Sequence, residues 1–67
     1  MNFDRVAGNW KQFTGTVKQK WGDLTDDDMT SIEGDREKLE GKIQERYGYT
    51  RDQVKKEVND WLESLKV

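Results

Sequence analysis

The run Leu24-Thr25-Asp26-Asp27-Asp28-Met29 (LTDDDM) reads as the start of a helix. Thr25 takes the N-cap, where its hydroxyl can accept from a backbone N–H of the first turn. Asp28 stands at N3, where its carboxylate can reach back to the cap amide. Leu24 and Met29 flank the box as the N′ and N4 residues of a hydrophobic staple. The same device returns at Tyr49-Thr50-Arg51-Asp52-Gln53-Val54, with Thr50 as cap, Gln53 at N3 and Tyr49/Val54 as the staple. Gly22 and Gly48 precede the two starts and fit the left-handed position that ends a preceding helix.

Outward from these starts the chain is duplicated. A shift of 26 positions superimposes Phe3 on Met29, Val6 on Ile32, Gly8 on Gly34, Phe13 on Leu39, Gly15 on Gly41, Val17 on Ile43, Trp21 on Tyr47 and Gly22 on Gly48. The repeat units run over about 3–28 and 29–54. The spacing predicts a long helix over 3–21, a short one over 26–33, a third over 35–47 and a last over 51–65, with no competing strand pattern. At about 100° per residue, Phe3, Val6, Trp10, Phe13, Val17 and Trp21 fall within an arc of roughly 80°, which is a core-facing stripe. Leu39, Ile43 and Tyr47 form the stripe of the third helix, and Val54, Val58, Trp61, Leu62 and Leu65 that of the fourth. The expected fold is all-α: one small four-helix domain over 1–67, built as two duplicated helical hairpins packed on each other. Trp61, Leu62 and Leu65 suit either that core or a dimer seam.

Gly8, Gly15, Gly34 and Gly41 do not belong to the stripes, since they lie on the far side of the wheel. A glycine inside a helix costs about 1 kcal/mol relative to alanine, so its presence in both copies points to a bend, a second close contact, low stability or simple inheritance through the duplication.

Composition narrows the function. The 67 residues are 31% hydrophobic and 39% charged, with a mean hydropathy of -1.18, near the limit at which a chain folds alone. Cysteine and histidine are absent, which removes disulfides, thiolate nucleophiles, Cys/His zinc sites and the side chain that titrates near neutral pH. The opening Met1-Asn2-Phe3-Asp4 has neither a basic leader nor an apolar run, so the expected address is the cytoplasm, without a membrane partner. No cofactor is expected, and the chain is not expected to be an enzyme, because its many carboxylates lack a concave site to separate their pKa values.

Two ligand motifs fail, one on spacing and one on a missing glycine. Gly34 to Lys42 (GDREKLEGK) has six residues between its glycines where a phosphate loop needs four, and Ile43 stands where a magnesium-binding hydroxyl belongs. Asp26, Asp28, Thr30 and Glu37 occupy positions 1, 3, 5 and 12 of a calcium loop, but Ser31 replaces the glycine of its sharp turn. Acids at a helix N-terminus are accounted for by the dipole.

Charge is unevenly placed. Residues 1–22 carry Arg5, Lys11, Lys18 and Lys20 against Asp4, a net +3, whereas residues 23–45 carry nine acids against Arg36, Lys38 and Lys42, a net -6. The basic segment is therefore expected to pack near the acidic one. Trp10, Phe13 and Trp21 interleaved with Lys11, Lys18 and Lys20 have the composition of a nucleic-acid surface. The wheel sends the aromatics to the core, however, and leaves Lys11, Gly15 and Lys18 as the candidate interaction surface. A protein partner or a nucleic-acid backbone could approach the bare glycine there, although the acidic middle repels DNA unless it faces away.

The run Gly8-Asn9-Trp10-Lys11-Gln12-Phe13, with Gly15, Val17-Lys18, Trp21-Gly22, Leu24 to Asp28, Gly34, Leu39, Gly41 to Gln44 and Tyr47-Gly48-Tyr49, closely resembles the CsbD-like family over roughly residues 2–62. The resemblance implies a small helical domain of bacterial origin whose expression rises under general stress. It implies no catalytic residue, so none is carried over. Two mechanisms fit: a hydrophilic protectant of hydrophilin type, consistent with 6 glycines in 67 residues, or a helical interaction module using Lys11, Gly15 and Lys18.

Overall fold

The computed structural model describes residues 2–65, and among them there are five helices and no strand: α1 (Phe3–Gly8), α2 (Trp10–Lys20), α3 (Asp26–Ile32), α4 (Arg36–Tyr47) and α5 (Arg51–Ser64). The fold class is all-α as expected, but the helix predicted over 3–21 is two helices. Asn9 breaks it, at φ -125° and ψ 39°. Its N–H donates to the Val6 carbonyl (3.2 Å) and its Nδ2 to the Arg5 carbonyl (3.2 Å), which satisfies the end of α1. Its own carbonyl then accepts from Gln12 (2.9 Å) and Phe13 (3.3 Å), which opens α2. The 26-position shift of the sequence held a signal for it: Asn9 falls on Asp35, the N-cap of α4, and Gly8 on Gly34 in the turn before it.

Both capping boxes form. Thr25 Oγ1 accepts from the Asp28 N–H (3.1 Å) while Asp28 Oδ2 accepts from the Thr25 N–H (3.0 Å), and Thr50 and Gln53 do the same at 3.2 and 2.9 Å. Gly48 ends α4 at φ +69°, in the left-handed region, as its position predicts. Gly22 does not take that role. Trp21 leaves the helical conformation (φ -121°, ψ 80°) with its N–H still bonded to the Val17 carbonyl, and Gly22 does not take a positive φ.

The core joins all five helices: Phe3 and Val6 of α1, Val17 of α2, Met29 and Ile32 of α3, Leu39 and Ile43 of α4, and Val54, Val58, Trp61 and Leu62 of α5, with Trp21 and Leu24 between α2 and α3. Trp21 meets Trp61 edge-on, ring centroids 5.4 Å apart. Trp61 and Leu62 thus belong to the intramolecular core, and Leu65 is half-buried against it. Trp10 ties α2 to α3 by donating from Nε1 to the Met29 carbonyl (2.9 Å).

The four glycines that the wheel set aside separate by cause. Gly34 is buried at φ +79°, and a Cβ there would stand 3.1 Å from the Ala7 carbonyl oxygen and 3.2 Å from its Cα. It is the close contact between α1 and the α3–α4 turn. Gly8 ends α1 at the break, while Gly15 and Gly41 lie within helices with open space where a Cβ would go. The substitution Gly34→Ala is therefore expected to lower unfolding free energy by about 1–3 kcal/mol, through strain at positive φ and the clash with Ala7. Gly41→Ala is expected to raise it by up to about 1 kcal/mol, since only helix propensity changes. Urea unfolding of the two variants beside the parent chain checks both signs.

Candidate interaction surface and the buried carboxylate

Lys11, Gly15 and Lys18 share one face of α2, spaced by four and three residues as the helix requires. Lys11 and Gly15 are exposed. Lys18 is half-buried and forms an ion pair with Asp26 at the first turn of α3, joining the basic first segment to the acidic middle one. Beside this face, between α2 and α3, runs a groove of about 340 Å³ lined by Trp10, Lys11, Thr14, Asp26, Met29, Thr30 and Glu33. The surface is accordingly of mixed sign. Asp26 and Glu33 face the same space as Lys11, which disfavours a phosphate backbone as its ligand. The basic residue Lys20 lies elsewhere, paired with Glu57 of α5 at 3.2 Å beside a second, polar groove lined also by Tyr49, Gln53, Lys56 and Asp60.

Asp28 is the buried charged residue among the described residues, 4% exposed. Besides its role in the capping box it accepts a two-pronged contact from Arg46 in the last turn of α4, Nε to Oδ2 at 3.1 Å and Nη2 to Oδ1 at 3.2 Å, with Lys42 Nζ 3.7 Å from Oδ1. This clamp of α3 on α4 was not legible in the chain, because pairing across 18 residues has no local pattern. The available hint was the difference between the copies, an acid at N3 of one box and Gln53 at the other. Asp28 stands at position 3 of the discarded calcium loop, and its carboxylate is engaged by cations of the protein itself. Among the described residues no three His, Cys, Asp or Glu side chains gather as metal ligands, and no helix is long and apolar enough to cross a membrane.

The Thr25 N–H, followed by the Arg46 guanidinium, holds the Asp28 carboxyl below its ordinary 3.8, at about 2, against the opposing effect of burial. Because the folded pKa is the lower one, the unfolded chain binds more protons in this range, and stability falls as pH falls. Asp28 contributes fully above about pH 4 and loses its contribution as pH drops through about 2. Asp28→Asn is expected to lower stability at neutral pH by about 1–3 kcal/mol, since Arg46 loses a charged acceptor. It should also flatten the acid limb between those two pH values, which urea unfolding at pH 5 and pH 2.5 will read.

Comparison with known proteins places the chain. The CsbD-like family model matches residues 4–56. The UPF0337 protein YjbJ of Escherichia coli is 69% identical over 61 residues, covering 91% of this chain and 88% of that protein. YjbJ of Salmonella typhimurium is 67% identical over 61 residues, covering 91% and 87%. A UPF0337 protein of Rhodopseudomonas palustris is 65% identical over 66 residues, covering 98% of this chain and all of that protein. With the matched segment running from α1 into α5, this chain belongs to the CsbD-like family, a general stress-response family.

Proposed function

We propose that this protein is a non-catalytic stress protein acting as a hydrophilic protectant, at high abundance in the cytoplasm, by keeping other macromolecules solvated and apart. One observation carries the reading: no apolar side chain among the described residues is exposed. Each is buried in the core or half-buried at its rim. The exterior is consequently polar, with cations and acids interspersed and a net charge of -2, the kind of surface that resists self-precipitation at high concentration. The duplicated-hairpin arrangement belongs to the same proposal, supported by the packing of α3 on α4 and of α4 on α5. A protectant of this kind needs structure only to hide its few apolar groups.

The alternative, a module that engages a protein or nucleic-acid partner through Lys11, Gly15 and Lys18, draws on the exposure of Lys11 and the open space at Gly15. The two readings separate in a deletion strain. Under the protectant reading, a Lys11→Glu/Lys18→Glu variant that keeps its helicity restores stress survival as the parent gene does, and both proteins preserve a labile enzyme equally through drying. A folded variant that behaves like the deletion overturns the protectant reading in favour of the module.

A further inference from the structure

The groove between α2 and α3 has a charge pattern that its own chain leaves unfinished. Of the charged residues on its walls, Lys18 satisfies Asp26 within the chain. Lys11 on the α2 wall and Glu33 just past the end of α3 are both exposed, line the same groove, and hold no ion pair among the described residues. Trp10 and Met29 form the apolar part of the lining, with Trp10 half-buried and pinned by its bond to the Met29 carbonyl. One turn along α2 from Lys11, exposed Gly15 has nothing within 4 Å of where a Cβ would stand. A second helix can approach closely there.

We propose that this groove is the seat of a weak two-fold dimer of the protein, in which Lys11 of each copy faces Glu33 of the other and the α2 helices cross near Gly15. The choice of occupant follows from charge. A polyanion meets Asp26 and Glu33, a polycation meets Lys11, and a partner must offer both signs in the opposite order. A second copy does so when the two-fold axis passes between Lys11 and Glu33, because Lys11 then meets the other copy's Glu33 and Glu33 its Lys11 in one reciprocal contact. The ring of Trp10 supplies the aromatic contact common at the centres of such interfaces. The proposal is independent of the protectant role, since it concerns assembly and not survival.

Sedimentation equilibrium of the full chain tests it, at protein concentrations up to about 1 mM and at about 50 and 500 mM salt. The expected result is an average mass rising towards two copies at low salt and less so at high salt. Lys11→Glu and Glu33→Lys should each weaken association about tenfold or more, and the double exchange should restore it to within about threefold of the parent. Circular dichroism of these exposed substitutions verifies the fold. A chain that stays monomeric throughout overturns the proposal, as does association that ignores the single substitutions, a double variant no better than the singles, or growth beyond two copies. A monomer whose Lys11→Glu variant instead loses affinity for a labelled DNA duplex assigns the surface to nucleic acid and overturns the dimer.

Discussion

The structure depends on a scarcity of apolar side chains. With 31% hydrophobic residues in 67, the chain can close a core only by committing every described apolar group to it or to its rim. Seven aliphatic side chains (Val6, Val17, Ile32, Leu39, Ile43, Val54 and Val58) are essentially without solvent contact, one or two from each helix. At about 1.5–3 kcal/mol for each such burial, the gain must still exceed the entropy of ordering the chain, so little is left over. The polar groups must then avoid losses. Two reciprocal capping boxes and the Asp35 cap satisfy helix starts that would otherwise leave backbone donors unpaired.

Asp28 shows how local and long-range demands meet in one side chain. Its carboxylate answers the Thr25 amide, as any N3 acid of a capping box would, and from the same position it receives Arg46 from α4. Burial alone would raise its pKa; fixed donors on two sides reverse that. The polar clamp and the apolar core therefore hold the same helix pair, α3 and α4.

The glycines have different structural settings, which helix propensity alone does not describe. Gly8 is the last residue of α1 and Gly34 lies in the turn after α3, and each is followed by the residue at the N-cap position of the next helix, Asn9 or Asp35. Only Gly34 became the seat of a close backbone contact, because α1 lies across it through Ala7. Gly15 and Gly41 keep open space around them, which leaves a polar exterior interrupted by bare backbone on α2 and α4.

From the chain alone, the helical class, the two capped starts, the left-handed Gly48 and most of the core were legible, since periodicity and capping act over three or four residues. The break at Asn9 escaped because the apolar stripe runs through it with helical spacing, and only the equivalence of Asn9 with Asp35 betrays it. Tertiary structure alone decided the rest: that Arg46 reaches Asp28, that Ala7 forbids a side chain at position 34, that Trp61 lies in the core, and that Lys18 is neutralised by Asp26 while Lys11 is not. Each of these joins residues far apart in sequence, or depends on which of several nearby charges a packed helix brings within reach. No local pattern encodes that choice, because it is made by the shape of the whole core.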